Sequence, residues 1–333
     1  MGGSDVLAND ASGDQLVARR FLHVCLNTAL GAPAVAFHAA IADLSVGMAT
    51  GVQHGAGSVL DIGADGSTPD KPFVAETTFL YDHRGPRVTS ALEIVHWMDP
   101  ATTGETYRSP ANPGLHALTY AVPAVAEHVS AAGATIEGQA DTGLLWPTSR
   151  ATFVRDPDGV LVELLESEPG APAESRGIRL CCRDLDATVT WYRAIGFGIV
   201  VPPTAVTVPA AALGGDGADV AVRAARLALA EEPSFALTVI EHPDAAGDSW
   251  EEPYHRGLYR MALRVENLRD ATAELDRRGV VYEGPKWIPL DGTKIGGMSI
   301  LFLRDPDGVM VEFVERPTAL IGKATPRPEA AVS

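Results

Sequence analysis

One block of this chain occurs twice, and that repetition limits its fold more than any other feature. Phe153 to Glu166 reads FVRDPDGVLVELLE, and 149 residues later Phe302 to Glu315 reads FLRDPDGVMVEFVE. Upstream of these, GLHALTYAV (Gly114 to Val122) answers GLYRMALRV (Gly257 to Val265). Earlier still, RFLHVCL (Arg20 to Leu26) answers RGIRLCC (Arg176 to Cys182). Three blocks in one order at similar offsets mark a duplication. A chain of 333 residues is also long enough for two domains.

Each copy follows the same grammar. An alternating apolar strand opens it, at Phe21 to Asn27 and at Ile178 to Arg183. A helical stretch follows, clearest in DLDATVTWYRAIGF, where Val189, Tyr192 and Ile195 recur at helical spacing and Gly196 ends the run. Further strands end in SALEIVHW and SFALTVIE, and the second half then repeats strand, helix, strands. Asp-Pro-Asp-Gly between the last two strands is turn chemistry: proline presets φ, aspartate caps its own backbone, and glycine takes a positive φ. The class is α+β, with two β-α-β-β-β units per copy and four in the chain. The expected boundaries are a tail at 1–18, a first domain at 19–168, a linker at 169–175, a second domain at 176–317 and a tail at 318–333. Gln53 to Pro72 and Asp99 to Pro113 are expected as loops at the mouth of the first domain.

Composition narrows the partners. Hydrophobic residues make up 46% and charged residues 21%, which excludes wholesale disorder. A formal charge of -17 repels phosphate backbones and anionic headgroups, so neither nucleic acid nor a membrane is an expected partner. Three cysteines cannot build a disulfide framework. No apolar run approaches the roughly 20 residues of a membrane helix, and the N-terminus lacks a signal-peptide pattern. The expectation is a cytoplasmic protein with a small-molecule substrate. A homodimer is left open, because four units can be complete in one chain.

The two RDPDGVxVE blocks and the helix-plus-glycine segment resemble the vicinal oxygen chelate superfamily, which includes glyoxalase I, extradiol dioxygenases and bleomycin resistance proteins. The resemblance covers residues 19–168 and 176–317. It implies two tandem domains, each with paired β-α-β-β-β units forming a half-open mixed-sheet barrel around one divalent metal. The ligand positions lie on the first and last strands of each unit.

In the first domain those positions hold His23, Glu93, His116 and Glu163, a set suited to Ni, Co, Zn, Mn or Fe(II). Glu93 sits among Leu92, Ile94 and Val95, where a buried carboxylate needs a cation or donors. The matching positions of the second domain are Arg179, Thr238, Tyr259 and Glu312, so no metal is expected there. Glu312 also shows that a glutamate after the turn persists without being a ligand, which leaves a structural role open for Glu163. Pairing unit one with unit four would gather His23, Glu93, Tyr259 and Glu312; pairing within the first domain gathers all four ligands and is preferred.

Other residues point less sharply. Cys25 and Cys181 occupy equivalent positions and read as small buried hydrophobes. By strand parity His96 points away from the Glu93 face. Trp146 is either a substrate platform or a loop anchor, Tyr107 and Arg108 lie in the mouth loop, and Gly296-Gly297 lacks the context of a nucleotide site.

The leading expectation is a metal-dependent isomerase, epimerase or lyase. Its metal is a Lewis acid on a vicinal-oxygen carbonyl or enol substrate, and Glu163 or Glu93 is the catalytic base. A second reading is an Fe(II) extradiol dioxygenase using His23, His116 and Glu163, though Phe153 stands where tyrosine is expected. A third is a non-catalytic protein sequestering a drug.

Overall fold

The computed structural model describes residues 17–56, 72–106, 109, 111–141, 143, 145–146, 149–250, 252–290 and 296–318. Unit one runs β1 (Arg20–Thr28), α1 (Ala32–Ala42), β2 (Ser45–Ala56), β3 (Pro72–Tyr81) and β4 (Ala91–Asp99). Unit two runs β5 (Gly114–Val122), α2 (Val125–Ala131), β6 (Ile136–Ala140), β7 (Ala151–Arg155) and β8 (Leu161–Glu166). Unit three comprises β9 (Glu174–Cys182), α3 (Leu185–Ala194), β10 (Gly198–Val208), β11 (Val220–Leu229) and β12 (Glu232–Glu241). Unit four comprises β13 (Gly257–Val265), α4 (Leu268–Arg278), β14 (Tyr282–Leu290), β15 (Gly296–Arg304) and β16 (Met310–Glu315). The strand-helix-three-strand grammar therefore holds four times.

The strands form two eight-stranded mixed sheets, ordered β14-β15-β16-β13-β1-β4-β3-β2 and β10-β11-β12-β9-β5-β8-β7-β6. Each is a curled half-barrel, as the resemblance implies. The preferred pairing of units does not hold. Unit one joins unit four through antiparallel β1 and β13, and unit two joins unit three through antiparallel β5 and β9. The duplicated sequences thus each contribute one unit to each sheet. Connection length accounts for the inner pairing: only residues 167–173 separate β8 from β9, so unit three is laid down beside unit two. The outer edges β1 and β13 then pair with each other.

Alternation assigns the faces. Val162 and Leu164 of β8 join an apolar cluster fed by both sheets and all four helices, including Ile41, Val129, Tyr192 and Leu275. Leu161, Glu163 and Leu165 face the opposite, concave side, and Leu161 and Leu165 pack in a separate cluster there. The two Asp-Pro-Asp-Gly turns form as expected. Asp156 Oδ1 accepts the N–H groups of Asp158 and Val160 at 2.9 and 2.7 Å. Asp305 Oδ1 accepts those of Asp307 and Val309, both at 2.9 Å. Gly159 and Gly308 have φ of 92° and 85°, the left-handed region where glycine carries no penalty.

The other oxygen of each aspartate ties the sheets together. His38 of α1 places Nε2 3.1 Å from Asp156 Oδ2, and the Tyr192 hydroxyl of α3 donates to Asp305 Oδ2 at 3.2 Å. Units adjacent in sequence are thus joined across the two sheets. Part of the expected N-terminal tail is ordered: Val17 and Ala18 are buried, and the Ala18 N–H donates to the Ile195 carbonyl at 2.9 Å. Residues 1–16 and 319–333 lie outside the described residues, as do 57–71 of the first expected mouth loop and Tyr107 and Arg108 of the second.

Candidate functional site

The concave face of the first sheet holds four charged or titratable side chains. His23 comes from β1, Glu93 from β4, Arg260 from β13 and Glu312 from β16, and all four are buried. Arg260 Nε donates to Glu312 Oε2 at 2.9 Å, and its Nη2 donates to Glu93 Oε2 at 3.1 Å. His23 Nε2 lies 3.4 Å from Glu93 Oε2 and 3.6 Å from Glu312 Oε2, yet makes no hydrogen bond. A closed ring of charge results, with the arginine on one side and the imidazole on the other.

Bulges set this arrangement. Between β1 and β13 the register steps past Leu22 and again past Tyr259, leaving Cys25 opposite Arg260. Cys25 is also opposite Glu93 on its other flank. It is wholly buried, and burial pushes its thiol well above the ordinary range, so it packs as a small apolar group. Trp97 is held by its Nε1, which donates to Asn27 Oδ1 at 2.8 Å; Asn27 Nδ2 in turn donates to the carbonyls of Pro253 and His255.

A cavity of about 200 Å³ opens above the ring. Phe73, Phe79, Trp97 and Met298 give it an apolar wall, while Thr50, Gln53, His54 and Thr77 supply polar groups. Phe79 meets the His23 ring edge-on, with centroids 5.6 Å apart.

The electrostatics follow from the packing. Burial lowers the His23 pKa, but the negative charges of Glu93 and Glu312 outweigh it, and the net shift is upward from 6.5. Burial raises Glu312, but Arg260 and then His23 outweigh it, and its carboxyl falls below 4.5. Burial lowers Arg260, yet the surrounding acidic groups leave it well above the ordinary guanidinium value.

The expected ligands are not brought together. His23 and Glu93 line the first concave face, whereas His116 and Glu163 belong to β5 and β8 of the second sheet. His116 Nε2 donates to the Asn112 carbonyl, and burial lowers its pKa to about 4, so it is a neutral, hydrogen-bonded imidazole. Glu163 Oε2 accepts from Thr119 Oγ1 at 2.9 Å and lies 3.0 Å from Arg179 Nη2. Arg179 also donates to the Ala212 carbonyl, on a one-turn 3-10 helix, Ala210–Leu213. Ala212 and Leu213 pack with Phe153, Leu161, Val222 and Ile240, so this half-barrel is filled by protein. Trp146 is an anchor: Arg226 stacks over its ring at 4.1 Å from the centroid.

The donor set does not fit a divalent metal. The two carboxylate oxygens nearest His23 are already bonded by Arg260, whose guanidinium cannot deprotonate. A divalent ion sharing those oxygens would sit against a fixed positive charge. Among the described residues, no group of three or more His, Cys, Asp or Glu side chains has the geometry to hold a metal. The same splitting of His23 from His116 and Glu163 removes the facial triad that the dioxygenase reading requires.

Residues 177–313 match the model described as the Glyoxalase/Bleomycin resistance protein/Dioxygenase superfamily. That match spans the second copy of the duplication, from β9 to β16. The chain's fold is similar to that of glyoxalase I from Zea mays, with a TM-score of 0.62 and 17% identity over 90% of this chain and 92% of that one. It is also similar to a protein from Bacillus subtilis described as a dioxygenase, with a TM-score of 0.56 and 11% identity over 92% and 88% of the two chains. No curated protein matches the sequence. Among the described residues, no helix is long and apolar enough to cross a membrane.

Matching GLHALTY to GLYRMAL puts Tyr259, not Arg260, at the ligand position. Simple alternation in GLYRMALRV carried the signal: Arg260, Ala262 and Arg264 share one face of an otherwise apolar strand.

Proposed function

We propose that the first half-barrel is the active site of a small-molecule enzyme that moves a proton on the carbon next to a carbonyl. This is the isomerase, epimerase or lyase branch of the superfamily. The carrying observation is His23 Nε2, a buried nitrogen without a hydrogen bond, placed between two carboxylates beneath an aromatic-walled cavity. The two carboxylates raise the basicity of His23, which favours its taking a proton from a substrate. In this reading neutral His23 takes the proton from the substrate carbon and the electron pair of that bond moves to the carbonyl oxygen, giving an enolate. The imidazolium, stabilised by Glu93 and Glu312, then returns the proton. Glu163 has no part in this chemistry, because it belongs to the filled half-barrel.

The test is hydrogen exchange into 2-hydroxyacetophenone, a neutral aromatic ketone with an acidic methylene, followed by proton NMR in heavy water. Wild-type protein should accelerate loss of the methylene signal, and His23→Gln should lose at least 10²-fold of that acceleration. A rate unchanged by His23→Gln would refute the reading. The binding-protein reading is favoured by one observation: Arg260 pins both carboxylates, and pinned groups suit retention of a ligand. It predicts stoichiometric binding with no exchange.

A further inference from the structure

The ring of four side chains departs from a metal site in a way that specifies its ligand. We propose that Arg260 is the resident cation of this site, in place of a metal ion, and that the pocket takes an uncharged aromatic ketone or enol. The inference deepens the reading above and rests on its placement of the site.

The argument starts from the guanidinium. Its Nε and Nη2 are committed to Glu312 and Glu93, and Nη1 makes no hydrogen bond among the described residues. Arg260 also lines the cavity. A nitrogen that is always protonated, held by two carboxylates and facing a pocket, is a preorganised donor for a carbonyl or enolate oxygen. Glu312 Oε1 has no hydrogen bond among the described residues either, so a neighbouring hydroxyl on the ligand has an acceptor. Donor and acceptor thus stand side by side on one floor.

Charge then excludes anions. The floor has two carboxylates against one guanidinium, and His23 closes the balance only when protonated. An anionic ligand therefore meets a floor that is neutral at best, inside a protein with a formal charge of -17. Phe73, Phe79 and Trp97 offer flat apolar surface for an aromatic ring. A cavity near 200 Å³ limits the buried part of the ligand to one or two fused rings.

The experiment compares 2-hydroxyacetophenone with mandelate, an anion of similar size and oxygen placement. Binding is read by quenching of Trp97, with Trp97→Phe as the control that removes the signal. Protein stripped with EDTA should bind 2-hydroxyacetophenone with an affinity within two-fold of untreated protein. Mandelate should bind at least ten-fold more weakly, and Arg260→Gln should weaken ketone binding at least ten-fold. Arg260→Lys, which keeps the charge without the fork, should fall between. Loss of ketone binding on stripping, restored by one equivalent of Zn²⁺ or Ni²⁺, would overturn the proposal even if the variant fails to fold. Equal or tighter binding of mandelate, or no Trp97 quenching by the ketone, would also overturn it. Metal-independent ketone binding without proton exchange would sink the catalytic reading and leave this inference standing.

Discussion

Replacing Arg260 by methionine removes one charge and leaves two carboxylates buried without it. At an effective dielectric of about 20, each contact near 3 Å represents roughly 5 kcal/mol of attraction, offset by the cost of burying the ions. Breaking such a pair from one side typically costs about 3–5 kcal/mol, because the partner charge is stranded. We expect Arg260→Met to lower the unfolding free energy by about that amount at pH 8, measured from urea midpoints. In the variant both carboxylates are buried without their counter-charge, and burial disfavours the charged form. The penalty should therefore grow as pH rises and shrink by more than half at pH 5. The triple variant Arg260→Met, Glu93→Gln, Glu312→Gln should recover stability to within about 2 kcal/mol of wild type. An Arg260→Met midpoint within about 1 kcal/mol of wild type at pH 8 would show that the guanidinium does not hold these carboxylates.

Other perturbations test the rest of the structure. Arg179→Met should destabilise the protein by about 3–5 kcal/mol while leaving 2-hydroxyacetophenone binding unchanged, as titration of the folded variant would show. Asp156→Ala removes the acceptor for two backbone N–H groups and the partner of His38, and should cost about 2–4 kcal/mol in urea unfolding. Glu232 accepts the N–H groups of Phe21 and Ser90, and burial raises its pKa from 4.5 to about 7. Its contribution is fully present below 4.5 and is lost as pH rises through about 7, a change of about 3 kcal/mol. Glu232→Gln should remove that component, so the difference in urea midpoint between variant and wild type should change between pH 4.5 and 8. Phe153→Ala, in the filled half-barrel, should cost about 3–5 kcal/mol by the same assay.

The sequence exposed some layers of this architecture and hid others, for physical reasons. The Asp-Pro-Asp-Gly turns and the four-fold grammar were legible because turn chemistry and strand alternation are local. Parity placed Glu93 inward and His96 outward, with His96 packed against Gly31 rather than the cavity. Unit pairing was not legible. Every unit presents a similar apolar first strand to its neighbour, so units one and two and units one and four make equally plausible seams on pattern alone. The choice depends on connection length and edge geometry. Arg260 was hidden because the likeness of GLYRMAL to GLHALTY points to Tyr259 and not to the face that Arg260 shares with Ala262 and Arg264. The filling of the second half-barrel was hidden because Ala210–Leu213 carries no motif and acts only through where it lands.

The nested pairing of units sets the order in which the molecule can be completed. Units two and three are contiguous in the chain, so their sheet closes across a short connection and can form while synthesis is still under way. The seam between β1 and β13 instead joins segments more than 200 residues apart and carries a high loop-closure and contact-order cost. Unit one must wait with an unpaired apolar edge until unit four arrives, which is the aggregation-prone interval of this fold. The ring around Arg260 straddles that last seam. The pocket comes into being only when the two ends of the fold meet, so a chain truncated before unit four keeps the filled half-barrel's strands and loses Arg260 and Glu312 from the ring.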